Sequence, residues 1–275
     1  MGGTKDYPRE YLIASALAAT INYPLWRASA IGQSGFVVES ARIPALLSPY
    51  VHAFAPPYKG ALATVLGMTW ARAGIFWGSD YGKEQLMQMG MAESAATVLP
   101  PLVVSTVVQC VNMPLVRATI TIQDPQSKLP NVAAALRYIY QTHGWAGLWH
   151  GTSAGVLKSV PKYCTAVVVK GFMEDWLPPP TDPSERLWRS AYKSAAAGIA
   201  GAALTNPLDV IRNEMFKTNL ELTATVQKLW RELGVRFLAR GLGKNMVAVA
   251  IPVACTIFFT DALVHRTQQR QRRVT

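Results

Sequence analysis

The side chains in this 275-residue sequence that could carry covalent or metal chemistry are few and scattered. Cys110, Cys164 and Cys255 stand far apart with no CxxC spacing, and the four histidines form no HExxH or similar cluster. Neither a disulfide framework nor a zinc site is expected. With no nucleophile–base constellation and no phosphate-binding glycine loop, an enzyme is not expected, and neither is a cofactor or a metal. What remains is charge. There are 27 Lys and Arg against 16 Asp and Glu, a net +11, although only 16% of residues are charged and 50% are hydrophobic. The chemistry open to such a chain is non-covalent: ion pairing in apolar surroundings and attraction of anions, including an anionic lipid surface. A nucleic-acid partner would call for a dense basic face with interleaved aromatics on a polar remainder. Only 266–273 (RTQQRQRR) looks like that, and it reads as a solvated tail. No nucleic acid is expected.

These charges need elements to position them. The stretch 94–116 supplies 23 positions without a charge, enough to span a bilayer. The runs 11–26, 60–71, 194–208 and 245–260 are shorter, so hydropathy alone supports only one to three spans. Charges that interrupt such runs are costly in lipid, and they face a bundle interior or snorkel to an interface.

Internal repetition settles the count. Asn22, Pro24, Arg27 and Gln33 recur in register as Asn112, Pro114, Arg117 and Gln123, and a shorter version follows as Asn206, Pro207, Asp209 and Arg212. The prolines lie 90 and 93 residues apart. A second landmark keeps the same period: Tyr58-Lys59-Gly60, Trp149-His150-Gly151 and Ala239-Arg240-Gly241, spaced 91 and 90. Between the landmarks, 131–143 and 221–233 carry apolar residues at helical spacing with glycine directly after them, which predicts surface helices. The pattern predicts an all-α membrane protein. Six transmembrane helices lie in three two-helix repeats with pseudo-threefold symmetry, accompanied by three short surface helices. The chain reads as one domain, 1–275, with repeats of about 1–92, 93–183 and 184–275; the linker 177–183 (LPPPTDP) separates the last two. Both chain ends then lie on one side and the short helices on the other.

With these motifs the sequence resembles the mitochondrial carrier family along essentially its whole length. Three proline motifs in register with three glycine landmarks carry the resemblance, and 143–151 (HGWAGLWHG) and 232–241 (ELGVRFLARG) are close matches to the family's short-helix ending. It implies a multi-pass protein of the inner mitochondrial membrane, with termini toward the intermembrane space and the three short helices in the matrix. It also implies alternating access to a central site between two charge-locked gates. Cardiolipin is the implied lipid at Gly60, Gly151 and Gly241, with Lys59 and Arg240 adding charge beside two of them.

The gates are eroded. On the matrix side, beyond Pro24, Pro114 and Pro207, only Asp209 and Arg212 keep the family's charge pair; Trp26 and Ser29, and Val116 and Thr119, stand at the other two. No complete inter-repeat pair is expected there, and Asp209 and Arg212, three apart on a helix, are expected to pair with each other. Arg27 and Arg117 sit about 200° round the helix from positions 29 and 119 and are expected to snorkel toward lipid phosphate. On the intermembrane side the resemblance groups Asp80, Lys83, Lys170 and Asp261, with Lys83 facing Asp261. The implied central contacts are, to within one residue, Met68 (or Gly67), Lys158 (or Leu157) and Val249 (or Ala248), with Arg72 and Lys162 one turn on; their cations favour an anionic solute. Two functions stay open: solute transport, and a transport-inactive carrier fold serving as scaffold or subunit among other membrane-complex subunits.

Overall fold

A computed structural model describes residues 7–36, 44, 47–54, 56–179 and 182–272; within these helices the side chains of Arg72, Cys164 and Lys170 lie outside the description. Every regular element among the described residues is helical. In the first third, α1 (Pro8–Ile21) and α2 (Tyr23–Ser34) form a rod interrupted at Asn22, followed by the short α3 (Ser48–Ala53) and the long α4 (Ala61–Gln88). Next come α5 (Glu93–Thr121), α6 (Val132–Leu148), and a second interrupted rod made of α7 (Thr152–Leu157) and α8 (Ser159–Trp176). The last third holds α9 (Pro183–Thr218), α10 (Leu222–Leu233), a 3-10 turn (Gly234–Ala239) and α11 (Leu242–Arg272).

Local chemistry accounts for these boundaries. Asn131 caps α6 by accepting the Ala134 N–H at 2.9 Å, and α10 stops at Gly234, whose φ of 55° a side chain would resist. Pro24 has no N–H to offer where α1 gives way to α2, and at this break the Asn22 side chain turns back to donate to the Ala18 carbonyl at 2.8 Å. The apolar sides of the short helices are buried against the long ones: Ala135, Ile139 and Leu148 of α6 pack with Ala118 and Ile122 of α5. Leu229 of α10 packs with Val210, Ile211 and Met215 of α9.

The long rods form a closed circuit. Each packs on its neighbours in chain order, and α11 packs on α1 and α2. At one end, Thr267 donates to Glu10 at 3.0 Å and Gln268 to the Tyr7 hydroxyl at 3.3 Å, so the first and last rods are fastened there. The other end carries α3, α6 and α10. Burial concentrates at that end, where α2 and the C-terminal halves of α5 and α9 converge. Among the described residues, two helices, α5 and α11, are long and apolar enough to cross a membrane. Only a minor part of either apolar stretch is buried inside the protein, unlike the core helix of a soluble domain.

The three landmark glycines sit where the circuit is tightest. Gly60, Gly151 and Gly241 all have positive φ, between 70° and 86°. A Cβ on Gly60 would lie 2.6 Å from Ile122 Cδ1, one on Gly151 2.7 Å from Phe216 Cε1, and one on Gly241 2.6 Å from the Gln33 backbone nitrogen. Each landmark is thus pressed against the end of the converging helix of the next third of the chain, with α2 following α9 around the circuit. Gly241→Ala therefore combines left-handed strain with a backbone clash. It is expected to cost about 3 kcal/mol or more, against about 1 kcal/mol for Gly90→Ala, whose φ is also positive but which faces open space. Thermal unfolding of the two variants in detergent checks the difference.

Candidate functional site

The converging ends of α2, α5 and α9 meet around an apolar plug. Ala30, Met113, Ile120 and Phe216 are buried there, with Trp26 and Val116 packed against them. Trp26 and Val116 are the residues standing where acids were expected, so packing replaces two of the ion pairs. Beside the plug lies a charged triad. Asp209 accepts a hydrogen bond from Lys158 at 2.7 Å and forms an ion pair with Arg212 at 2.9 Å. The i,i+3 pair is present as the spacing predicts, but the expectation that no pair joins two repeats is corrected, because Lys158 belongs to the second repeat and Asp209 to the third. The reason is reach: Lys158 sits at the α7–α8 break, and its long side chain crosses to α9, whereas Ser29 turns to Asn245 Oδ1 at 3.3 Å. Two cations thus share one carboxylate that is 8% exposed, and the Lys158 side chain keeps 19% of its surface open.

Lys158 therefore joins the triad instead of standing alone as a solute contact. Lys162, one turn on, runs along Gly201 of α9. Val249 is half-buried and packs in part toward Gly198 of α9, where a Cβ would lie 2.9 Å from its Cγ1. Met68 is half-buried on α4. Gln109 was not foreseen: its Nε2 is buried without a hydrogen-bond partner among the described residues and lies against Gly155, three residues before Lys158. Asn213, one turn beyond Asp209, is wholly buried with neither amide atom bonded among the described residues.

Arg27 and Arg117 require a correction. Both are 1% exposed and directed into protein. Arg27 donates to Gln123 Oε1 at 2.5 Å, to the Ala53 carbonyl at 2.9 Å and to the Pro56 carbonyl. Arg117 donates to Asn219 Oδ1 at 2.9 Å and to the Gly147 carbonyl, and lies 6.0 Å from the Phe216 ring centre. Pointing away from positions 29 and 119 leads toward the turns and short helices, whose carbonyls are nearer than any headgroup.

Side-chain amides, not an ion pair, join the third and first repeats at their seam. Gln33 donates to Asn206 Oδ1 at 3.0 Å, and Asn206 donates to the Leu238 and Arg240 carbonyls at 2.9 and 3.1 Å. Asn245 also reaches Asn206 Oδ1 at 3.4 Å. The same geometry recurs at the seam between the first and second repeats, where Tyr23 and Gln123 both donate to the Lys59 carbonyl, at 2.7 and 3.1 Å. Arg240, expected to serve lipid, spends its guanidinium on the Gln33 carbonyl at 2.7 Å and on Glu214 at 3.1 Å. Glu214, which the sequence did not single out, is a buried carboxylate that also pairs with Lys228 at 2.7 Å and Lys217 at 3.5 Å.

At the opposite end, Lys83 pairs with Glu93 at 3.3 Å and not with Asp261. The rods carrying them are separated by α1, which packs on both. Asp80 and Lys83 line a hollow of about 460 Å³ between α4 and α5, together with Ser79, Glu84 and Thr97. Lys170 and Arg72 lie outside the described side chains.

The family model for mitochondrial carrier proteins matches residues 93–180 and 183–271. The chain belongs to the mitochondrial carrier family, whose members are carriers and not enzymes. It is 27% identical over 180 residues to the mitochondrial ornithine transporter 1 of Saccharomyces cerevisiae, covering 63% of this chain and 60% of that one. It is 31% identical over 165 residues to a mitochondrial coenzyme A transporter of Homo sapiens, covering 54% and 49%. Against solute carrier family 25 member 48 of Homo sapiens it is 27% identical over 132 residues, covering 44% and 40%. The chain spans about half the length of the curated relatives it matches.

Asp209→Asn removes the only carboxylate shared by Lys158 and Arg212 and is expected to destabilise by about 3–5 kcal/mol; Lys158→Met, which leaves Asp209 paired with Arg212, costs about 1 kcal/mol. Thermal melts of the two variants test that order. Outside the helices that line the circuit, burial pushes the His52, His143 and His150 imidazoles below their usual range, helped by nearby Arg27 at His52 and Arg117 at the other two. Below about pH 6.5 the unfolded chain therefore binds more protons than the folded one, and the stability present at neutral pH is lost on acidification. Melting temperature is expected to fall from pH 7.5 to 5.5, in a drop that His150→Gln reduces, since a glutamine amide can still donate to the Leu220 carbonyl.

Proposed function

We propose that this chain is a solute carrier of the inner mitochondrial membrane that moves an anionic metabolite by alternating access. The observation that carries the reading is the triad: two cations share one carboxylate inside an apolar bundle, at the end where the rods converge. An anion entering from the other end would find the Lys158 side chain still partly open. In this reading Lys158, Lys162 and Arg72 attract the solute while Met68 and Val249 bound its path. Six transmembrane rods in three repeats, as the sequence repeats indicate, surround that path. The termini face the intermembrane space and the three short helices the matrix. Pro24, Pro114 and Pro207 converge the rods at the matrix gate that Asp209 and Arg212 help to lock. Asp80, Lys83, Lys170 and Asp261 form the opposite gate, now unpaired between Lys83 and Asp261 as an outward-open state requires. Cardiolipin is proposed at the turns of Gly60, Gly151 and Gly241, with Lys59 supplying charge.

Of the solutes in the relatives' names, coenzyme A carries phosphates and suits such a site, whereas ornithine is a cation and does not. Reconstituted vesicles preloaded with phosphate-bearing nucleotides, including coenzyme A, are expected to exchange at least one of them and to exclude ornithine. Lys162→Gln is expected to slow that exchange roughly tenfold, the loss of one charged contact. A folded protein that exchanges nothing refutes the reading. A second reading, a transport-inactive scaffold among other membrane-complex subunits, is favoured by one observation: neutral amides and an apolar plug hold the convergent end where ion pairs were expected. Exclusive migration inside a large complex on native gels, with no exchange, is its signature.

A further inference from the structure

We infer that the stacked aromatics Tyr140, Trp145 and Trp149 form an interfacial anchor for α5, seated among phospholipid headgroups at the short-helix end. One backbone hydrogen bond is missing from α5. Pro114, inside α5, has no N–H, so the Cys110 carbonyl four residues earlier loses its helical donor. Trp149 supplies one: its indole Nε1 donates to the Cys110 oxygen at 3.0 Å. A carbonyl on a membrane-spanning helix needs such a partner, because hydrocarbon offers none. The bond also fixes the Trp149 ring against α5.

That ring continues an apolar stripe. Val103, Val107 and Val111, four residues apart on α5, are all more than half exposed and lie on the outer face of a helix long enough to cross a bilayer. At the end of the stripe Trp149 stacks on Trp145, with ring centres 6.5 Å apart, and Trp145 meets Tyr140 edge-on at 5.0 Å. Trp145 is 67% exposed. Gly144 makes the fold-back possible: its φ of 66° and ψ of −167° belong to a region open essentially to glycine alone, and no neighbour lies within 4 Å, so conformation and not space requires it.

An aliphatic stripe passing into tryptophan and tyrosine is the arrangement that places amphipathic rings at the boundary between acyl chains and headgroups. Arg137, exposed one turn before Tyr140, adds the positive charge that lipid phosphate favours. Phe54 and Val235, at the same distance before Gly60 and Gly241 as Trp145 before Gly151, are exposed as well. The three positions ring the bundle, as an encircling bilayer requires and a single docked protein does not.

The anchor is independent of whether the chain transports. To test it, the full chain and Trp145→Phe are reconstituted in phosphatidylcholine vesicles whose lipids carry bromine either near the headgroup or near the acyl terminus. The fluorescence lost in the variant reports Trp145, and near-UV circular dichroism confirms that the variant is folded; Trp149→Phe gives a second reading of the same stack. Shallow bromine is expected to quench the Trp145 component at least about twofold more than deep bromine, with weak quenching by aqueous acrylamide. Three results overturn the inference: strong acrylamide quenching without bromine quenching, which places the ring in water; quenching by neither, which places it under protein; or stronger quenching by deep bromine.

Discussion

The bundle depends on one close approach made three times, in which a glycine of one repeat is pressed against the converging helix end of the next. At Gly241 the neighbour is backbone, Gly32 and Gln33, so the two backbone segments meet with nothing between them. Hydrogen bonds gather around the same approach: the carbonyls of Lys59 and Arg240, each just before its glycine, accept from side chains of the converging helices. The second of the three contacts differs, for Met113 and Phe216 there supply packing in place of amides. Threefold regularity is thus kept in backbone geometry while the side chains vary.

This division explains what the sequence reveals. Glycine and proline report backbone demands, so their spacing exposes the repeat and, with it, rods that hydropathy passes over. The i,i+3 pair of Asp209 and Arg212 is legible for the same local reason. Partners across the bundle are not. Helical rotation turns Arg27 and Arg117 from positions 29 and 119, but periodicity gives a direction and not what lies there; the turns before Gly60 and Gly151 fill that space. Lys158 aligns with a solute-contact position, yet nothing local shows that its reach ends on Asp209. Glu214 looks like one more solvated helix charge until Lys228 and Arg240 close over it from two other segments.

Exchanging ion pairs for amides and apolar contacts changes how the convergent end responds to its surroundings. Screening by salt weakens exposed charge pairs but leaves a buried chain of Gln33, Asn206 and Asn245 almost untouched. Any opening would have to break these bonds together with the Trp26 and Val116 packing, in a region where water is scarce. Near the plug, the triad at Asp209 is then the contact that salt and pH would reach through charge, linking the second and third repeats.

Fastening Glu10 to Thr267 and Tyr7 to Gln268 joins the first rod to the last at the same end. The circuit consequently has neighbours but no beginning. A circularly permuted gene, with the first and last rods joined beside this fastening and a new start cut in the segment that separates the second and third repeats, would keep the rod-to-rod interfaces. Linear order in this polypeptide is a record of its synthesis more than a condition of its architecture.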